Sequence, residues 1–390
     1  MSSCYHFMKK ILFLTVGLCG ILFAEAQDQA VAVLQKTIDK VNSLKALDYA
    51  YKSTNKNLFS DGDTSYSSGN SIFVFDGHGK VKALHDENNI GKAKFRNILK
   101  DDTLFKINVN DSTYTFYPKP DQNDLPSDLF AICESITNNL HKKTPRIFQH
   151  KDTIIDKISC YCFYINEYDT TYNGQHDYTY IYIFINKASN MPVMFKKSGA
   201  GVAEKAGHVI GRVTNYDETH FSNFRVNGAT DEQEFYFDRT KFSLPNDKML
   251  ADGDKAPLLK LTSLEDQAVA IQNFQNKLLL IEFGDTGCPA NALANPLLNR
   301  LKEKYASKDF LIACVYTGET AQQAKNYIKT NGLKFPVYLT DSKTRKSFKT
   351  IGTPGFYLVG KNGMILMSSN GYSDELEQNL SVKIEAALKK

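Results

Sequence analysis

The chain has 390 residues, with 47 Lys and Arg against 43 Asp and Glu, eight His, seven Cys and no Trp. A net charge of +4 with no long basic block excludes an electrostatic footprint for nucleic acid, and a hydrophobic fraction of 42% excludes a disordered chain. The length exceeds what one core covers and implies two domains.

Lys9 and Lys10 precede an apolar run over 11–23, and Ala24-Glu25-Ala26 places small residues where a signal peptidase reads them. A basic start, a short apolar stretch and a small-x-small site describe a secretory signal peptide over 1–26. The run is shorter than the roughly 20 apolar residues of a membrane span. Cys19 does not make a lipid-attachment site, because Leu18 stands where a small residue is required. Removal of the leader leaves Cys133, Cys160, Cys162, Cys288 and Cys314. The number is odd, so in an oxidising compartment one thiol stays unpaired or pairs outside the chain.

A helix over 30–44 puts Val31, Leu34, Ile38 and Val41 on one face at the 3.6 period. The pattern then turns to period two, and 47–53, 71–75, 80–84, 104–109, 113–117, 158–165, 178–185 and 193–196 read as strands. A second helix over 128–140 carries Phe130, Cys133, Ile136 and Leu140 on one side. Many antiparallel strands with few helices imply a curved sheet whose concave face the helices cover. The strand 178–185 sends its tyrosines one way and its isoleucines the other. That leaves two readings, an aromatic-lined ligand concavity or a sheet packed on helices with tyrosine hydroxyls at the rim. Patterning fades over 238–253, which places a linker at 241–253 between a β-rich domain over 27–240 and a second domain over 254–390.

From Asp254 the expected order is two strands, then helix, strand, helix, strand, helix, two strands and a last helix. Continuous apolar runs at 278–283 and 310–316 mark central strands, and Gly360-Lys361-Asn362-Gly363 is a hairpin turn. Helices are expected over 289–305, 320–331, 342–350 and 373–388, giving a mixed α/β sheet covered on both sides.

Cys288 follows the first of these strands and precedes Pro289, a residue suited to a helix's first turn. A thiol there meets the positive end of the helix dipole and free backbone N–H groups, both of which favour thiolate. Glu282, inside the strand, is expected to be buried, which raises a carboxyl pKa and suits proton exchange. Gly352-Thr353-Pro354-Gly355, just before a strand, is a candidate cis-proline loop offering backbone groups to an extended peptide.

With these residues in view, the stretch from about Gly253 resembles the thioredoxin fold in its exported TlpA/ResA-like branch. Gly253-Asp254-Lys255-Ala256-Pro257, Leu279-Leu280-Ile281-Glu282-Phe283, the loop to Cys288, Pro296 and Gly352-Thr353-Pro354 carry the resemblance. It implies a nucleophilic role for Cys288, a buried-acid role for Glu282 and substrate binding by Thr353 and Pro354. The sequence departs from Trp-Cys-x-x-Cys: Asn291 holds the resolving position, and Gly284 and Gly287 stand where the family has tryptophans. Without a second thiol, a mixed disulfide at Cys288 has no intramolecular exit. The expected function is therefore thiol–disulfide oxidoreductase or isomerase chemistry through a single cysteine. Two alternatives are a non-catalytic envelope protein binding lipid, lipoprotein or peptide, and a thiol peroxidase of the peroxiredoxin kind. The latter expects Thr three residues before the cysteine, where Asp285 stands.

Cys314 reads as a buried core thiol. Cys160 and Cys162, two apart on a strand, are about 7 Å from each other, too far for an unstrained bond; a disulfide from Cys133 to one of them is expected. All eight histidines precede residue 221, no spacing suggests a metal site, and no cofactor is expected. The N-terminal half loosely resembles the LolA/LolB-like half-barrel through Leu47-Asp48-Tyr49-Ala50-Tyr51, the stretches over 111–118 and 185–193, and Phe235-Tyr236-Phe237. That resemblance implies an apolar concavity for an acyl chain or peptide. The expected architecture is an α+β antiparallel half-barrel domain followed by an α/β thioredoxin-fold domain, exported to the periplasm or cell envelope of a Gram-negative bacterium. The expected partner is a thiol- or disulfide-bearing protein or small thiol.

Overall fold

A computed structural model describes residues 29–389 other than 57, 60–63, 78, 92, 122–123, 127, 143–145, 206–207, 246–247, 270–273, 275 and 307. The expected leader over 1–26, and Asn246 and Asp247 of the expected linker, lie outside the described residues.

The first helix, α1 (29–42), buries Ala30, Leu34, Ile38 and Val41, the stripe its 3.6-residue spacing demands. Six strands follow: β1 (Ala46–Lys56), β2 (Thr64–Phe75), β3 (Val81–Ile90), β4 (Ala93–Lys100), β5 (Thr103–Asn108) and β6 (Thr113–Pro118). After α2 (Asp128–Leu140) come β7 (Ile147–Ile155), β8 (Ile158–Tyr172), β9 (Gln175–Asn186), β10 (Pro192–Lys205) and β11 (His208–Val226). Together they form one sheet in the order β6-β5-β4-β3-β2-β1-β11-β10-β9-β8-β7. The first and last strands meet in its middle, Leu47 opposite Val226, so two meanders share a seam. The outer strands β6 and β7 do not pair with each other, and the domain is a large open antiparallel sheet.

Period-two patterning fixes which face packs. Leu47, Phe73, Leu84, Phe163, Ile165, Ile181, Ile183 and Phe221 meet α1 and α2 in one core. Tyr164, Tyr180 and Tyr182 alternate with those residues and meet in tilted ring contacts on the other face, with the Tyr164 ring centroid 5.4 Å from that of Tyr180 and 5.1 Å from that of Tyr182. The isoleucines of β9 thus pack on the helices while its tyrosines line the outer surface. Two short 3-10 turns, Glu232–Phe235 and Arg239–Lys241, capped by Asp231 and Asp238, bring Phe237 onto Ile98, Phe105 and Ile107.

The C-terminal sheet comprises β12 (Leu278–Gly284), β13 (Phe310–Thr317), β14 (Val337–Thr340), β15 (Gly355–Val359) and β16 (Ile365–Asn370), in the order β14-β13-β12-β15-β16. β12 runs parallel to β13 and antiparallel to β15, so it is buried on both faces, as its uninterrupted apolar sequence requires. Helices α3 (Pro289–Lys304), α4 (Ala321–Asn331) and α6 (Leu376–Leu388) cover one face. Phe348, ending α5 (Ser342–Ser347), and the lead-in segment around Leu250 to Leu261 cover the other. Of the two strands expected between Asp254 and the first helix, the second is β12, and the lead-in strand is reduced to single bridges, Lys255 with Met364 and Thr262 with Leu339 and Ala268. Pro257 has no N–H with which to extend such a ladder.

The two domains touch. Phe59, from the connection between β1 and β2, is buried in the core of the C-terminal domain, where Ile210 and Val213 of β11 also pack. The Asn331 side chain donates to the Phe59 carbonyl at 2.8 Å.

Candidate active site

The all-buried strand β12 ends at Gly284, and after a three-residue turn Cys288 is the N-cap of α3, with φ −84° and ψ 119°. Its carbonyl accepts the amides of Asn291 at 3.1 Å and Ala292 at 3.3 Å, and Pro289 occupies the first helical turn. The Cys288 thiol is partly exposed and donates toward the Thr353 carbonyl at 3.4 Å. The Thr353–Pro354 peptide is cis. The fold therefore brings Cys288 and the Thr353-Pro354 loop, which are far apart in sequence, into contact.

Behind the thiol lies a buried carboxylate with one side-chain partner on α3. Glu282 is fully buried, and Asn291 Nδ2 donates to its Oε1 at 2.8 Å. Burial pushes the Glu282 carboxyl up to about 7, and nearby Asp285 raises it further, while hydrogen bonds from Cys314 and Asn291 act the other way. Cys314 is directly opposite Glu282 in the β12–β13 register. Burial drives its own thiol well above the ordinary range, so it faces the acid as a core group.

Asn291 also fills space beside the end of β12. A Cβ at residue 284 would fall inside the contact distance of Asn291 Nδ2 and 3.1 Å from Tyr316 Cε1. The amide occupies space that any side chain at 284 would need, so Gly284 and Asn291 are one coupled feature.

Three groups that the sequence did not single out for a role hold the turn. Asp285 accepts the Gly287 amide at 3.0 Å and the Thr353 hydroxyl at 2.7 Å, tying the cysteine turn to the cis-proline loop. Glu319 accepts the Thr286 amide at 3.0 Å. Burial pushes Glu319 up to about 7, against the pull of that amide. Arg345 donates to the Gly352 carbonyl at 3.4 Å. Asp285 was visible only as the wrong residue for a peroxidase, and Glu319 stands alone after β13 with no periodicity to mark it.

The expected disulfide is absent. Cys133 lies in the core between α2 and the sheet, whereas Cys160 and Cys162 alternate along β8 with Phe163 and Ile165 and so face away from that core. The sheet itself separates the two sides, and all five described cysteines are free thiols. Among the described residues no group of three or more His, Cys, Asp or Glu side chains is placed to hold a metal ion.

Residues 251–382 match the family model described as Redoxin. Over 131 residues the chain is 29% identical to the thiol-disulfide oxidoreductase ResA of Bacillus thuringiensis subsp. konkukian, covering 33% of this chain and 76% of that protein. It is 23% identical over 137 residues to the thioredoxin-like protein YneN of Bacillus subtilis, covering 34% of this chain and 81% of the relative. A solved thioredoxin domain of a thiol-disulfide oxidoreductase from Bacteroides vulgatus aligns at 23% identity with a TM-score of 0.32, covering 34% of this chain and 97% of the other. The C-terminal third of the chain carries a redoxin domain of the thioredoxin-like TlpA/ResA kind.

Proposed function

We propose that this chain is an exported monothiol protein of the cell envelope whose C-terminal domain exchanges disulfides through Cys288. The observation that carries the reading is the partly exposed Cys288 thiol at the start of α3, 3.4 Å from the carbonyl of a residue that precedes a cis-proline. The Cys288 thiolate attacks one sulfur of a partner disulfide, a new Cys288–S–S bond forms, and the other partner sulfur leaves as thiolate. Asn291 has no thiol with which to reopen that bond, so one external thiol attacks the Cys288 sulfur and releases the captured partner as a thiolate, and a second attacks the resulting Cys288 adduct, regenerating Cys288 while the two external thiols leave joined as a disulfide. Glu282 supplies a buried proton acceptor behind the turn, and Thr353 and Pro354 present backbone groups to the partner chain.

The test is non-denaturing exposure of the full chain to glutathione disulfide, followed by intact-mass measurement. A single glutathione adduct on Cys288, stable until a thiol is added and absent from Cys288→Ser, is expected. No adduct under these conditions, or its spontaneous loss without added thiol, defeats the proposal.

A second reading, a non-catalytic binding protein, takes its support from the same replacement: Asn291 is built into the Glu282 environment as a structural residue. The half-barrel and its acyl or peptide ligand belong to that reading. An unreactive Cys288 in the same experiment favours it. A peroxidase is set apart by Asp285, whose carboxylate is committed to Gly287 and Thr353.

A further inference from the structure

The apolar part of the sheet's helix-covered face is filled by α1 and α2, but the same face changes character along the strands. β1 passes from Leu47 and Tyr49 to Tyr51, Ser53 and Asn55, β2 runs back from Phe73 to Ser71 and Ser67, and β3 passes from Leu84 to Asp86 and Asn88. Beyond the start of α2 these residues enclose a cavity of about 280 Å³. Its lining is rich in acceptors and contains two carboxylates, Asp86 and Asp128, and no Lys, Arg or His.

The cavity wall is held in place from behind. Asp86, 2% exposed, takes hydrogen bonds from Ser71 at 2.8 Å, Asn97 at 2.9 Å and the Tyr51 hydroxyl at 3.2 Å. Asp128 takes them from Thr219 at 2.9 Å and Ser53 at 3.3 Å. The Tyr51 ring lies against bare backbone at Gly69, where a Cβ would stand 2.6 Å from the phenol carbon and oxygen. Asn88 Oδ1 is buried and receives no donor among the described residues. Burying so many polar groups is unfavourable unless each is partnered, and the partner missing here is a donor.

We propose that this cavity binds a small organic amine in its ammonium form. Asp86 and Asp128 supply the opposing charge, Asn88 Oδ1 accepts an N–H, and the Tyr51 ring forms one wall. An ammonium brings three donors and no acceptor, the complement of this lining, and it favours an aromatic wall. A bare metal ion lacks comparable support, because no cluster of ligating side chains forms among the described residues. This site faces the N-terminal sheet, so it stands or falls independently of Cys288.

The test is isothermal titration of the full chain with putrescine, and with butanediol as a neutral counterpart of the same length. Saturable binding of putrescine and none of butanediol is expected, weakened at least about tenfold by Asp128→Asn, a change of about 1.4 kcal/mol. Asn88→Leu, which removes the unpartnered acceptor without touching a charge, is expected to weaken binding in the same direction. Thermal melts check that each variant is folded, and if Asp128→Asn is not, Asn88→Leu decides. Absence of saturable putrescine binding, equal binding of butanediol, preferential binding of magnesium or calcium, or full affinity in the folded variants would overturn the proposal.

Discussion

Asn291 donates to Glu282 across 2.8 Å of fully buried space, from the third residue after Cys288. The position at which Cys-x-x-Cys spacing would set a second thiol carries instead a hydrogen-bond donor to the acid behind Cys288.

Asn291→Cys restores a Cys-x-x-Cys spacing on a helix start already shaped for it. The variant is expected to reduce a model disulfide such as insulin in multiple turnovers, at least about tenfold faster than the parent at equal thiol supply. A turnover assay with limiting dithiothreitol checks this, and a rate equal to the parent's would show that the Glu282 environment no longer supports the chemistry.

Glu282 and Glu319 are both pushed up to about 7 by burial. A carboxyl whose folded pKa lies above its unfolded value keeps its proton in the native state where the unfolded chain has lost it. Stability therefore falls as pH rises from about 4.5 to about 7 and is flat beyond, each group contributing on the order of 3 kcal/mol. Glu282→Gln is expected to remove its share of that slope and to be the more stable protein at pH 8. Urea melts at pH 5 and pH 8 measure the difference, and parallel slopes for parent and variant would contradict it.

Gly284→Ala drives a methyl group into the Asn291 amide. It is expected to cost about 1–3 kcal/mol, from overpacking and the lost bond to Glu282. In an Asn291→Ala background the same change meets less obstruction and is expected to cost distinctly less. The coupling free energy from the double-mutant cycle is the measured quantity, and additivity within about 0.5 kcal/mol would mean the two positions are independent.

Much of this was legible beforehand. Continuous apolar runs marked β12 and β13, Pro289 marked the start of α3, and Thr353-Pro354 marked its loop, because each signal is local. β4, β7 and β11 were not read as strands. β11 is the clearest case: Asn215, Asp217 and Thr219 lie along it, and polar residues on both faces leave no simple alternation to find. The same cause hid the cavity near Asp86, whose polar residues come from separate strands and look like surface until the register aligns them. The disulfide expectation failed for a related reason, since spacing along β8 gives the shared direction of Cys160 and Cys162 but not which side α2 occupies.

Thr353→Val removes the hydroxyl that Asp285 accepts at 2.7 Å. The expected cost is about 1–2 kcal/mol in stability, with slower glutathione capture at Cys288 because the cis-proline loop loses its tie to the cysteine turn. Adduct formation followed by mass over time checks it, and an unchanged capture rate would confine Asp285 to structure.

Phe59 gives the C-terminal domain a side chain it does not encode itself. A protein cut before residue 251 to obtain the redoxin domain alone would leave an unplugged hole among the α3–α4 side, comparable to a large-to-small core substitution at about 3–5 kcal/mol. The folding free energy of the C-terminal domain is therefore expected to depend on the sheet that precedes it, and strain or ligand binding in that sheet has a physical route, through Phe59, Ile210 and Val213, to the helix face behind Cys288.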